Sequence, residues 1–295
     1  MSFDEYATWV RERVNAFMQR YLAKLDAEAP ALWEAMSYGL TLGGKRVRPL
    51  LVYAAGALAG TAPESLDYPA AAVECIHAYS LIHDDMPEMD NDVLRRGQPS
   101  VHAKFGPALG LLSGDALQAL AFRFLSDPVA GLSAQAVVRL CALLSELSGY
   151  AGMCGGQALD LEAEGVPVAY EQLRLIHAKK TGALIRCAVQ LGYQSTPQFS
   201  PDVAKALDDY ARCCGQAFQI WDDVLDVIGS TEVLGKQAGH DEAAGKSTYP
   251  ALLGLDKAQE LARQCVEEAL AALHRVPGDT NVLEQFARFT IARDH

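Results

Sequence analysis

Along most of the chain apolar side chains recur three and four positions apart, as in "ALLSELSGYAGMCGGQALDLEAEG" and "VAKALDDYARCCGQAFQIWDDVLDVI". That spacing places them on one face of an α-helix, and no sustained period-two alternation marks a strand. Alanine and leucine, which lose little freedom in a helix, fill these segments. The Val/Ile/Thr-rich runs bounded by Asn-Gly turns that announce hairpins are missing. Pro30, Pro63, Pro69, Pro128, Pro167, Pro197, Pro201 and Pro277 are read as punctuation between helices. No linker, low-complexity tract or compositional break divides the chain. The pattern predicts an all-α fold, one large helical bundle forming a single domain over residues 1–295.

Composition narrows the class. Half of the residues are hydrophobic (50%), enough for a large core, and the net charge is −12. Such acidity disfavours nucleic acid and anionic membrane surfaces, which attract basic stripes. The seven cysteines (Cys75, Cys141, Cys154, Cys187, Cys213, Cys214, Cys265) are odd in number, sit in apolar segments and lack paired metal-ligand spacing. They are expected to be reduced core residues of a cytoplasmic protein. The first residues, "MSFDEYATWVRERVNAFM", carry acids where a signal peptide needs lysines. The longest unbroken apolar stretch, Pro49 to Gly60, is too short to span a bilayer, so no integral membrane segment is expected.

Two acidic runs change the picture. "HDDMPEMDNDVLRRG" follows the apolar "AAAVECIHAYSLI" and brings Asp84, Asp85, Glu88, Asp90 and Asp92 together. Pro87 removes a backbone donor and biases Met86 away from helix, so Asp90 can fold back toward Asp84. "QIWDDVLDVIG" sets Asp222, Asp223 and Asp226 late in a second apolar helix. Asp222 and Asp226, four apart, share a face and repel unless a cation bridges them. The negative end of the helix dipole adds to that demand. One acidic run alone reads first as a solvated turn; two, each closing an apolar helix, point to a cation. Oxygen donors without His or Cys suit Mg²⁺, which keeps waters and bridges to substrate phosphates.

Phosphate partners are present as local basic groups. "GGKRVRP" supplies Lys45, Arg46 and Arg48, "LRRG" supplies Arg95 and Arg96, and "HAKKTGALI" supplies Lys179 and Lys180 beside Thr181. His77 lies two turns before Asp84 on nearly the same face, although a lone helical histidine is more often a satisfied core residue. Lys236 and Lys246 fall in the Gly229–Ser247 stretch, which is either a solvated connector or a lid over a site. Its "GHDEAAGKS" is not a nucleotide-binding P-loop, because five residues separate the glycines and no strand precedes it. Arginine suits bidentate phosphate recognition, and lysine acts as a point charge. Metals plus separate basic clusters imply two diphosphate substrates, with an apolar cavity between the two helices.

On "GGKRVRP", "IHAYSLIHDDMPEMDNDVLRRG", "GMCGGQALDLEAEG", "HAKKTGALI", "FQIWDDVLDVIGSTEVLGK" and "GKSTYPALLG", the sequence resembles the trans-prenyltransferases (polyprenyl diphosphate synthases) over nearly its whole length. Within that family it is most similar to the bacterial enzymes that make farnesyl diphosphate. The resemblance implies an all-α bundle around a deep central cavity, usually a homodimer. It implies that Asp84, Asp85 and Asp90, with Asp222, Asp223 and Asp226, hold Mg²⁺ ions, typically three, against an allylic diphosphate. Asp84, Asp90 and Asp222 would be the direct ligands and the others would support them. Arg95, Lys180 and Lys236 would grip the same diphosphate. Lys45, Arg48, His77 and Arg96 would bind isopentenyl diphosphate, and Thr181 and Gln219 would face the developing cation.

The implied reaction is head-to-tail condensation of isopentenyl diphosphate with dimethylallyl or geranyl diphosphate. The positions of Tyr79 and Ser80 line the chain-growth tunnel in this family, and a tyrosine floor beside a small serine implies a C15 product. "DNDVLRRG" also occurs in geranylgeranyl synthases, which keeps C20 as an alternative. A class I terpene cyclase shares the aspartates but needs no second diphosphate site, and it usually carries an Asn/Ser/Glu metal motif. A non-catalytic partner subunit fits poorly with complete motifs, and a merely structural bundle leaves the basic clusters unexplained.

Overall fold

The computed structural model describes residues 1–25, 28–196, 198–228 and 247–293. Helices carry nearly all of its regular structure, as the periodicity predicts. They are α1 (Phe3–Leu22), α2 (Pro30–Thr41), α3 (Val47–Leu58), α4 (Pro63–Asp84), α5 (Val101–Phe105), α6 (Pro107–Leu125) and α7 (Ala134–Ser148). After these come α8 (Met153–Glu162), α9 (Tyr170–His177), α10 (Ala183–Tyr193), α11 (Pro201–Ile228), α12 (Tyr249–Leu253), α13 (Leu255–Leu273) and α14 (Asn281–Ala292).

α4 is the central helix. From Leu66 to Ile76 every side chain is buried, so it is wrapped on all sides, by α3, α6 and α10. Each large apolar side chain buried in this way contributes about 1.5–3 kcal/mol. α10 packs on both α4 and α11, and α11 is backed by α13. The C-terminal ends of α4 and α11, where the acidic runs lie, are thus held by one shared neighbour. Several prolines open helices as expected, for example Pro30, Pro63 and Pro107 at a first turn. Pro69 does not: it lies inside α4, where burial on every side outweighs the backbone bond it removes.

Two local features were not legible from periodicity. A two-stranded hairpin, β1 (Leu94–Arg95) and β2 (Gln98–Pro99), follows the first acidic run. Its turn is Arg96-Gly97, with φ of 54° and 73°, the left-handed backbone that two-residue hairpins demand. A π-helical turn, Ala178–Gly182, joins α9 to α10.

By length and composition alone, two helical stretches could cross a bilayer, Pro107–Leu125 and Ala134–Glu162. This corrects the expectation that no stretch is long enough. The first is α6, packed against α4, and the second is interrupted between Ser148 and Met153, where α7 ends and α8 begins.

Candidate active site

At the end of α4 the chain reverses. Asp85 still bonds back to Leu81, but beyond Pro87 the amide of Asp90 donates to the carbonyl of Asp84 at 2.9 Å, and that of Asn91 to Met86 at 3.0 Å. Asp90 thereby returns to Asp84. The three acids meet different surroundings. Asp85 is buried, and Arg95 Nε bonds to both of its oxygens, at 3.0 and 3.2 Å. The hairpin turn explains this: it brings Arg95 back under the helix end. Asp84 and Asp90 form no ion pair among the described residues. Burial pushes the Asp84 carboxyl up to about 6; Lys180 and Arg95 oppose the rise, and Asp90 and Asp85 add to it. Two neighbouring carboxylates without an ion pair among the described residues, offering only oxygen donors, suit a shared divalent cation.

Lys180 faces this pair from the π-helical turn. Its Nζ bonds to Asp160 of α8 at 2.6 Å, and its charge is sustained against burial by Asp160, Asp84 and Asp90. The turn fits closely against α8 because residue 156 is glycine: a Cβ there would lie 2.2 Å from the Lys180 amide nitrogen. A π-bulge re-aims side chains at functional sites. Here it sends Lys180 toward the acids and Thr181 toward α11, where its Oγ1 donates to Gln219 Oε1 at 2.9 Å. Lys179 points away, to the carbonyl of Ala151 at 2.8 Å.

The second acidic run is differently employed. Asp223 is buried, accepting from Gln219 Nε2 at 3.2 Å and from the Tyr249 amide at 3.0 Å, so it ties α11 to α12. Asp226 is buried as well. Asp222 remains partly exposed, and its Oδ1 lies 2.7 Å from Arg293 Nη1. Arg293, just past α14, is itself fixed by the carbonyls of Thr290 and Phe218 and stacks 3.7 Å over the Phe218 ring. Groups of the chain itself therefore lie against several of these acids. Arg95, Arg293 and backbone or amide N–H groups compensate Asp85, Asp222 and Asp223. Among the described residues no group of three or more potential ligands surrounds one point, so a metal at Asp84 and Asp90 would draw its remaining oxygens from substrate or water.

The basic residues split as the sequence implies, with exceptions. A cavity of about 650 Å³ is lined by Lys45, Arg48, His77 and Arg96, together with Arg11 of α1 and Asp222 at its edge. Arg48 Nε is shielded from solvent and has no hydrogen-bond partner among the described residues. Burial lowers the pKa of Arg48, and Arg96 lowers it further. Burial, then Arg48 and Arg96, hold His77 well below its usual range, so His77 is neutral. Concentrated positive charge with an unspent donor is a seat for an anion. Arg46 also lines it, but its charge is already matched: at φ 53° its buried guanidinium bonds Glu74 at 2.5 Å and the Leu40 carbonyl at 2.9 Å. Lys236 and Lys246 lie outside the described residues.

Between these groups runs a second cavity of about 660 Å³, whose lining includes Arg48, His77, Asp84 and Lys180 at polar positions and Leu111, Met153, Leu161 and Leu184 at apolar ones. Tyr79 and Ser80 both line it. Of the seven cysteines, all free, five are buried and Cys141 is half-buried, but Cys154 is exposed on this cavity, so the core assignment is wrong for Cys154. Sequence reasoning also missed Asp160, Arg293 and Arg11. Asp160 stands inside the quoted "GGQALDLEAEG", so a signal existed, whereas Arg11 and Arg293 belong to no motif.

Comparison with known proteins agrees with this architecture. Residues 29–285 match the family model described as polyprenyl synthetase. The chain is 49% identical, over the full length of both proteins, to the farnesyl diphosphate synthase of Escherichia coli K12. It is 45% identical to a chloroplastic geranylgeranyl pyrophosphate synthase of Catharanthus roseus, over 84% of this chain and 69% of the relative. A crystal structure of an FPP/GFPP synthase from Zymomonas mobilis superposes with a TM-score of 0.86 at 38% identity, over 98% of this chain and 100% of that one. The helical bundle, the paired sites and these matches together show that the chain belongs to the polyprenyl synthetase family.

Proposed function

We propose that this chain, acting as a single domain, condenses isopentenyl diphosphate head to tail with dimethylallyl and then geranyl diphosphate, giving farnesyl diphosphate and diphosphate. The observation that carries the reading is one apolar cavity with Asp84 in its lining and Asp90 folded back beside that residue, next to a second cavity lined by Arg48 and Arg96. The allylic diphosphate sits against Asp84 and Asp90, with Lys180 and Arg95 beside it and Lys236 assigned from the sequence. Asp222 joins as a ligand when its pairing with Arg293 is exchanged for a cation, and Asp85, Asp223 and Asp226 hold the ligands in position. Isopentenyl diphosphate occupies the Lys45, Arg48, His77 and Arg96 cavity.

Mg²⁺, three ions by the family resemblance, would neutralise charge on the departing diphosphate. The chain's own part is to bind and orient. Lys180 offers a fixed positive charge where negative charge develops. Thr181 and Gln219, already bonded to each other, direct oxygen dipoles toward the carbocation. Apolar walls keep water from quenching it, and attack by the isopentenyl double bond followed by proton loss to diphosphate completes the new C–C bond. Tyr79 closes the cavity for a C15 product. C20 is the second reading, favoured by the similarity to a geranylgeranyl pyrophosphate synthase. The chain acts as a homodimer in the cytoplasm, and exposed Leu112 on α6 supports the dimer. Incubation with isopentenyl and geranyl diphosphates, followed by chromatographic sizing of the dephosphorylated products, tests the proposal: a C15 alcohol is expected, and no condensation product would refute it.

A further inference from the structure

Tyr79, on α4, is held at both ends. Its ring meets the His83 ring edge-on, with centroids 5.7 Å apart and planes at 75°. His83 Nε2 is in turn 3.1 Å from the Leu111 carbonyl of α6. At the other end the phenol lies 3.2 Å from Cys154 Sγ, in the first turn of α8. The ring is thus pinned across the cavity between α4, α6 and α8. Cys154 differs from every other cysteine in the chain, since its thiol lines the same cavity as Tyr79, Ser80, Met153 and Leu161.

A phenol is a good donor and a thiol sulfur a weak acceptor, so the contact aims the hydroxyl without demanding a rigid partner. Without it the ring has one anchor fewer and can rotate about its side-chain torsions. A hydrogen bond of this kind biases a conformational equilibrium by about two- to tenfold.

We propose that Cys154 is a chain-length positioning residue: its thiol pins the Tyr79 phenol across the cavity and so sets how far the prenyl chain extends. The inference rests on the proposal that Tyr79 closes the cavity, and it adds the residue that holds Tyr79 there. In the test, Cys154→Ala, Cys154→Ser, Tyr79→Phe, Tyr79→Ala and the double variant are each given isopentenyl and geranyl diphosphates, and the ratio of C20 to C15 products is measured. That ratio refers to product formed, so a reduced amount of folded enzyme does not move it. Cys154→Ala is expected to raise the ratio about two- to tenfold, Tyr79→Phe to do the same, and Cys154→Ser, whose hydroxyl accepts the same bond, to restore the wild-type distribution. Adding Cys154→Ala to Tyr79→Ala should change nothing further, because the residue to be positioned is gone.

If Tyr79→Ala lengthens the product and neither Cys154→Ala nor Tyr79→Phe does, the role of Cys154 is overturned while the tyrosine floor stands. If no variant lengthens it, floor and inference both fall. Additive shifts in the double variant would make Cys154 an independent wall and overturn positioning. Should Cys154→Ala not fold, Tyr79→Phe alone decides: a wild-type ratio there overturns the proposal.

Discussion

The two acidic runs are spelled alike, a pair of aspartates closing an apolar helix and a third nearby, but their surroundings differ. At the end of α4 only Asp85 is neutralised, by Arg95, and Asp84 and Asp90 face each other without an ion pair among the described residues. At the end of α11, Asp223 is a buried strut between Gln219 and Tyr249, and Asp222 is matched by Arg293. In the first run burial disfavours the ionised form of Asp84, a cost that a bound cation would relieve. The second is largely settled by its own chain. One motif can therefore leave two acids without an ion pair in one place and build an architectural joint in another, depending on which elements pack against it.

The comparison breaks first, and hardest, at Asp84. Asp84→Ala should lower turnover by about two to four orders of magnitude, the scale of removing a group that stabilises developing charge, with little loss of folding. Steady-state kinetics alongside urea unfolding check both halves, and near-wild-type activity would remove Asp84 from the site. Asp223→Ala should do the reverse in stability. It strands the Tyr249 amide and the Gln219 amide and is expected to cost about 1–3 kcal/mol in urea unfolding; an unchanged midpoint would contradict its role as a strut.

A smaller effect sharpens the contrast by pH. The Asp84 carboxyl is raised from 3.8 to about 6 in the folded chain, so between those values the folded state binds more protons than the unfolded one. The stability this group contributes is therefore present below about pH 4 and is lost as pH rises through about 6. In chelator, Asp84→Asn should be more stable than wild type at pH 8 by about 1–2 kcal/mol, allowing for solvent screening of a half-buried group, and no more stable at pH 4. A constant difference across that range would show that the repulsion is not electrostatic.

Much of this was legible in the sequence because it depends on spacing. Helical periodicity gives the bundle, Pro87 gives the return of Asp90 to Asp84, and the separated Lys/Arg clusters give the basic linings of two adjoining cavities. What escaped depends on elements meeting across the fold. Arg46 and Arg48 look equivalent in "GGKRVRP" and both line the cavity, yet Arg46, on left-handed backbone, is matched by Glu74, whereas the Nε of Arg48 keeps an unspent donor. The Arg95–Asp85 pair needs a hairpin whose turn, Arg-Gly, carries no strong signal. The partner of Asp222 comes from the far end of the chain, and Cys154 is set apart from the other cysteines only by what α8 packs against.

The central claim is that the two diphosphates bind at chemically different seats, one built on Asp84 and Asp90 and one on Lys45, Arg48 and Arg96. Equilibrium binding of each substrate alone tests it most directly, with dimethylallyl diphosphate and isopentenyl diphosphate titrated separately into wild type, Asp84→Asn and Arg48→Ala, with and without Mg²⁺. Binding of dimethylallyl diphosphate should require Mg²⁺ and be lost in Asp84→Asn but survive in Arg48→Ala. Binding of isopentenyl diphosphate should persist without Mg²⁺ and in Asp84→Asn, and be lost in Arg48→Ala. Equal losses of both ligands in both variants, or the same Mg²⁺ dependence for both, would contradict the account.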